Sequence, residues 1–235
     1  MINRTKRLVV SRSVKIPRKT FFWGVTPLPG RHNSRDSVPA LTVLRDYLNV
    51  GDKEREVTRM INSGFVNVDG KKLKERRYGL GFMDSISLLP IDKHYRVLYD
   101  KKGRLILNEQ TSENSKEKPL KVMNKLTTKD GKNQLVFHDG TNFISDNKDI
   151  KTGDVLIVSV PSKQIKHVLK MQPGNKAFLT GGEHVGTIGT IKSVEVKESS
   201  GKNLVHFEEG FSTIADYAFV VSGQKYSFPV QGGVA

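Results

Sequence analysis

Phe65-Val66-Asn67-Val68-Asp69-Gly70-Lys71-Lys72 alternates apolar and polar side chains up to an Asp-Gly pair and then turns cationic. The alternation predicts a strand with one buried face. Asp-Gly predicts a two-residue hairpin, because both central positions of the favoured turn take positive φ. The return strand is expected to carry Lys71, Lys72, Lys74, Arg76 and Arg77, with Lys72, Lys74 and Arg76 on one face. Upstream, Leu41, Leu44 and Leu48 recur at helical spacing with Arg45 turned away, and Asn49-Val50-Gly51 ends that helix. Asp52 is placed as the N-cap of a second helix, Val57, Met60 and Ile61 as its buried stripe, and Gly64 as its left-handed stop. Downstream, Asp84-Ser85-Ile86-Ser87-Leu88 adds a further strand. Residues 40–90 therefore predict a small helix–helix–hairpin unit.

Residues 1–39 contrast with it. Pro17, Pro27, Pro29 and Pro39 exclude a long helix, and the apolar content is too thin for an independent core. Nine cations (Arg4, Lys6, Arg7, Arg12, Lys15, Arg18, Lys19, Arg31 and Arg35) precede the first carboxylate, Asp36. The stretch reads as an extended arm that becomes ordered on a partner. Of the formal net charge of +15, +11 falls in the first 99 residues, and twelve of the thirteen arginines precede residue 100, Arg104 being the exception. Arginine gathered at one end points to phosphate, since its rigid planar fork grips two oxygens at once. A pI near 9.9 with such clustering is the footprint of a nucleic-acid binder. Trp23, the single tryptophan, stands beside Phe21 and Phe22. It either packs the arm onto the next domain, the favoured reading, or stacks on a base.

From residue 91 the pattern is β. Residues 95–99 and 104–107 flank Lys101-Lys102-Gly103 as a hairpin, and residues 109–118 read as a polar loop. Strands are expected at 120–126, 134–138, 141–145, 155–160 and 165–171, with Asp130-Gly131, Asp139-Gly140 and Gly153-Asp154 among the turns. After Pro173-Gly174, two strands around Gly186 and Gly189 precede 194–196 and 204–207. The expected organisation is an arm at 1–39, the helical unit at 40–90, an all-β domain at 91–172 and a small β domain at 173–235. The fold class is α+β, predominantly β.

Several chemistries are excluded. There is no cysteine, hence no disulfide, thiolate metal site or thiol nucleophile. The histidines are scattered without an i,i+4 pair, and no Walker loop, H-E-x-x-H or G-x-S-x-G occurs. No apolar run approaches the ~18 residues of a membrane span. The chain reads as a soluble binder without cofactor, metal, membrane or small-molecule substrate, and not as an enzyme.

Arg59, Gly64, Val66, Val68 and Gly70 match the pattern of the RNA-binding module named after bacterial ribosomal protein S-four, which segment 40–88 resembles. That module's second helix often begins with a serine–arginine pair, where this chain has Lys53-Glu54. Leu179-Thr180-Gly181-Gly182, then Gly186, Gly189 and Thr190-Ile191, make segment 174–191 similar to a KOW motif in an SH3-like barrel. Its Gly182–Gly186 loop, with His184, either touches RNA or only shapes a turn. The succession of parts is more specific. Pro29-Gly30-Arg31-His32, the helical module, Gly81-Phe82-Met83-Asp84, the run from His94 to Arg104, His138-Asp139-Gly140-Thr141 and Thr180-Gly181-Gly182 follow one another. In this order nearly the whole chain resembles the ribosomal protein S-four-e family of the archaeal and eukaryotic small subunit, most closely its archaeal branch. The family commonly has proline where this chain has Arg31, and the opening 20 residues match weakly.

The resemblance implies a structural, non-catalytic protein of the cytoplasmic ribosome, with small-subunit ribosomal RNA and neighbouring small-subunit proteins as partners. The candidate RNA-binding residues are the nine arm cations with His32, then Arg45, Lys53, Arg55, Arg59, Lys71, Lys72, Lys74, Arg76 and Arg77 of the module. Lys101, Lys102 and Arg104 of the hairpin, and Gly182, His184 and Gly186 of the KOW-like loop, complete the set. A free RNA-binding accessory factor in translation or transcription is the alternative reading.

Overall fold

Asp69 and Gly70 both adopt positive φ, 48° and 70°, the geometry that the Asp-Gly pair predicts. The computed structural model describes residues 5–129, 131–145, 147, 149–197, 201–223 and 226–230. Two compact units emerge, one of residues 1–98 with 104–118, the other of 99–103 with 119–235. The fold is mixed α+β and dominated by antiparallel sheet.

In the first unit, β1 (Ser37–Pro39) leads into α1 (Ala40–Thr42), which continues as a π-helical turn (Val43–Tyr47). The N–H groups that open α1 have no partner inside the helix, and two are met by carbonyls of the module's corner. Ala40 N–H donates to Tyr78 O and Leu41 N–H to Arg76 O, both at 2.8 Å. Next comes α2 (Glu54–Ser63). Asp52 is not its cap. Lys53 holds that position, and the Glu56 carboxylate reaches back to accept from the N–H groups of Asp52 and Lys53.

Five strands then form one sheet: β2 (Val66–Val68), β3 (Lys71–Lys72), β5 (Ser85–Leu88), β6 (Lys93–Tyr99) and β7 (Leu105–Gln110), in the order β3-β2-β5-β6-β7. β4 (Gly79–Gly81) pairs separately with β1. Leu41, Leu44, Val57 and Ile61 of the helical segments and Val66, Val68, Ile86 and Leu88 of the sheet are all buried. Each such side chain contributes about 1.5–3 kcal/mol by leaving water.

Three expectations change here. The sheet runs across the boundary drawn at residue 90, because β6 pairs with β5 from Ser85↔Arg96 to Leu88↔Lys93. The expected return strand ends at Lys72; Leu73 turns into the core and the chain leaves the sheet, so Lys74 and Arg76 do not continue a strand face. Residues 109–118 are not a loop: they finish β7, form α3 (Ser112–Ser115) and begin β8 (Glu117–Thr127). Buried Arg96 organises that segment, donating to Gln110 Oε1 and to the carbonyls of Met83, Asn114 and Glu117.

The arm is not extended. Lys6 bridges to Trp23, Val14 is buried and bridges to Leu105, and Leu105 N–H donates to Ser13 O at 2.7 Å. Lys15 N–H donates to the Tyr47 hydroxyl at 2.8 Å, and Arg18 donates to the carbonyls of Val10 and Ser11. Burial pushes the Tyr47 hydroxyl up to about 12. Backbone groups of the arm's described residues thus find partners within the unit.

In the second unit, β8 joins β9 (Asn133–Phe137), β10 (Asn142–Ser145), β11 (Val155–Ser159) and β12 (Ile165–Leu169) in the order β10-β9-β8-β11-β12. Leu120, Val122, Leu135, Phe137, Ile150, Leu156 and Val158 form its core. A second sheet has the order β16-β15-β14-β13-β17, from β13 (Lys176–Leu179), β14 (Ile188–Glu195), β15 (Leu204–Phe207), β16 (Ser212–Ile214) and β17 (Ala218–Ser222). β14 changes partner along its length, pairing with β13 through Thr190 and with β15 from Ile191 onward, where the register shifts. Among the described residues, pairing does not close this sheet into a barrel. β16 and β17 go beyond the strands expected from sequence. No helix among the described residues is long and apolar enough to cross a membrane.

Candidate nucleic-acid interface

The amphipathic register of α2 sorts its side chains. Val57 and Ile61 enter the core, so Arg55 and Arg59, one turn apart, lie on the solvent side with Lys53 at the helix start. Gly64 closes the helix at φ 80°, and the Lys72 side chain crosses directly over it, where a Cβ would collide with Lys72 Cε and Nζ. The ammonium therefore sits by the helix C-terminus, where the backbone dipole favours a cation. The contact also places the hairpin cations beside those of the helix. Lys53, Arg55, Arg59, Lys71, Lys72 and Lys74 are exposed, and among the described residues none pairs with a carboxylate.

Other candidates are spent inside the fold. Arg7 is 2 % exposed; its Nε donates to Pro17 O at 2.6 Å and its guanidinium lies 4.0 Å from Asp46. Arg31 pairs with Asp69 at 2.8 Å, and His32 Nε2 lies 3.0 Å from Asp84 Oδ2. Both belong to a buried network in which Lys118 Nζ donates to Asp69 at 2.7 Å and to Asp84 at 2.5 Å. Burial alone would raise the Asp84 carboxyl, but Lys118 and then His32 outweigh it and hold the group well below the usual carboxylate range. Arg45 forms a two-point pair with Asp46, and Arg76 pairs with Glu54 at 2.8 Å. Arg77 Nε donates to Thr26 O at 3.1 Å, which tethers the guanidinium without neutralising it. As readings of surface charge, Arg7, Arg31 and His32 are corrected: each is committed to a partner that sequence distance concealed.

In the arm, Lys6, Arg12, Lys15, Lys19 and Arg35 are exposed, whereas Arg18 is half-buried under its carbonyl bonds. Arg4 lies outside the described residues. The expectation that Trp23 packs the arm down is not met. Phe21, Phe22 and Trp23 are 67 %, 62 % and 52 % exposed, with Phe22 and Trp23 edge to face at 4.7 Å. This is the feature that sequence reading undervalues. Its available signal is three aromatics in an acid-free, proline-rich segment.

Arg104 is exposed in the first unit, and Lys101 and Lys102 are exposed in the second. In the KOW-like loop, Gly182 and His184 are exposed, and the His184 ring leans on Phe211 at 4.3 Å. Gly186 is buried at φ 78°, its α-carbon against the backbone of Asp100 and Lys101, so it serves packing and is withdrawn as an RNA contact. Among the described residues no cluster of side chains could hold a metal ion.

Comparison with known proteins decides the family. Small ribosomal subunit protein eS4 of Thermoplasma volcanium is 52 % identical over 233 residues, covering 99 % of this chain and 98 % of that protein. The protein of the same name from Picrophilus torridus is 49 % identical over 235 residues, covering 100 % of both. The chain belongs to the S4e family of ribosomal proteins. The family model described as Ribosomal family S4e matches residues 91–165. The crystal structure of the 30S ribosomal protein S4e from Thermoplasma acidophilum matches with a TM-score of 0.74 and 48 % identity, over 83 % of this chain and 99 % of that one. The S4e model thus falls outside both the helical module and the KOW-like segment. The two relatives span all three.

Proposed function

We propose that this chain works as a structural protein of the small ribosomal subunit, associating with its ribosomal RNA chiefly through the exposed cations of α2 and the β2–β3 hairpin. Family membership carries the first half of that reading: the chain is a structural ribosomal protein and not a catalyst. The second half rests on one observation, the run of Lys53, Arg55, Arg59, Lys71, Lys72 and Lys74 left without a carboxylate partner among the described residues, beside cations such as Arg31 and Arg76 that are neutralised internally. Cations without protein counter-ions release condensed ions from RNA at little cost, and that release drives much of the binding. The arm's Lys6, Arg12, Lys15, Lys19 and Arg35 extend this surface. In this reading the RNA-facing module is better drawn through Gln110, because β6 and β7 complete its sheet. The β13–β17 sheet, with Gly182 and His184 exposed, is taken as a KOW-type SH3-like barrel that supplies a secondary contact.

Cosedimentation with small subunits through a high-salt wash tests the reading, with retention expected. A free accessory factor would wash off and overturn it. With isolated rRNA, ~6–10 phosphate contacts predict an affinity loss on the order of 10³–10⁵ between 50 and 200 mM salt.

A further inference from the structure

We infer that the groove between Trp23 and Arg77 is a subsite for one unstacked nucleotide of single-stranded RNA. The inference rests on the RNA-associating role proposed above and adds the form of the ligand and the groups that hold it. The groove has a volume of about 480 Å³, within the ~300–1,000 Å³ range of sites that enclose small ligands. Phe21, which carries the Arg7 guanidinium over its ring at 5.5 Å, and Trp23, two residues on, border it, while Phe22 between them carries Lys6 against its ring at 5.5 Å. Large aromatic faces left in water are platforms on which a splayed-out base stacks.

Arg45, Arg76 and Arg77 also border the groove. Arg45 and Arg76 are already paired with Asp46 and Glu54. Arg77 differs: its Nε donates to the Thr26 carbonyl, and among the described residues no carboxylate pairs with its guanidinium. A fork fixed through Nε presents its remaining N–H groups for a two-point grip on phosphate. The carboxylate of Asp52, which also borders the groove, disfavours phosphate there and accepts from the N–H edge of a base, Glu54 being already held by Arg76. The ligand is thereby oriented, base toward the aromatics and backbone toward Arg77. A duplex is excluded, since its bases are stacked on each other and offer no face to Phe21 and Trp23.

Trp23 is the only tryptophan, so its fluorescence reports this groove alone. The full chain is titrated with an oligoadenylate of about eight nucleotides, the scale of single-strand binding sites, with a duplex RNA of equal length, and with intact small-subunit rRNA. The single strand and the rRNA are expected to quench Trp23 emission saturably, and the duplex to leave it unchanged. Phe21→Leu, at an exposed position where the fold is spared, is expected to weaken oligoadenylate binding roughly 5- to 150-fold. Arg77→Gln is expected to lower the salt slope by about one. Quenching by duplex equal to that by the single strand overturns the subsite, as does unaltered affinity in Phe21→Leu. Binding of rRNA with unchanged Trp23 emission removes the subsite and leaves the broader role intact; no binding to rRNA at all removes both.

Discussion

The interior around Asp69, Lys118 and Asp84 and the outer face of α2 with the β2–β3 hairpin hold the same kinds of side chain in opposite circumstances. Inside, each charge has a fixed counter-charge: Lys118 between two aspartates, Asp69 also under Arg31, Asp84 also beside His32. Outside, Arg55, Arg59 and Lys74 face solvent with no carboxylate paired to them among the described residues. The difference teaches that a count of cations overstates the charge available to a partner. Part of the basic character holds this protein together.

The largest break in that comparison is Lys118→Met. It leaves two buried carboxylates without their ammonium and is expected to destabilise the first unit by about 3–5 kcal/mol, read from the denaturant midpoint. A domain's whole stability is about 5–15 kcal/mol, so a loss of that size removes a large share of it.

Lys121 sharpens the contrast from the second unit. Its buried ammonium is held by the carbonyls of Ala215, Asp216 and Ala218 at 2.7–2.8 Å, with no carboxylate paired to it among the described residues. Lys121→Met orphans those carbonyls, at a cost of about 1–3 kcal/mol. Burial also pushes Lys121 down to about 8 from its ordinary value near 10.5. Between those values the unfolded chain binds more protons than the folded one, so raising the pH through that window should increase stability. The gain should be missing from Lys121→Met in thermal melts.

Asp84 gives the same sign in an acid window. Its folded carboxyl is held below the unfolded value, so its contribution is fully present above about pH 4 and declines as pH falls toward the folded value. Asp84→Asn should flatten the acid limb of the stability curve. An unchanged acid limb would mean that Lys118 and His32 do not stabilise the carboxylate.

The smallest stability effect belongs to the outer face. Arg55→Glu, Arg59→Glu and Lys74→Glu should each shift stability by no more than about 0.5 kcal/mol. In the triple variant rRNA affinity should fall steeply, and the salt slope should drop by about one for each phosphate no longer neutralised. A large stability loss would place these cations with Arg31 and Lys118 rather than with the partner.

Local pattern makes much of this legible. Alternation at Val66 and Val68 marks the strand, Asp69-Gly70 its turn, and the 57/61 spacing the buried side of α2, because each depends on neighbours within a few residues. The helical module and most strands of the second unit follow from the same signals. β17 escapes that reading although Ala218, Phe219, Val220 and Val221 are all buried, since a short continuous apolar run carries no period to read.

The amino-acid order alone determined the local elements, the family and the end of the chain where charge gathers. Only the tertiary structure decided which charges are free. Lys118 finds Asp84 and Asp69 across 34 and 49 residues, and Lys121 reaches Ala218 across 97. Coulombic and hydrogen-bond partners are set by distance in space, which the folded backbone alone supplies.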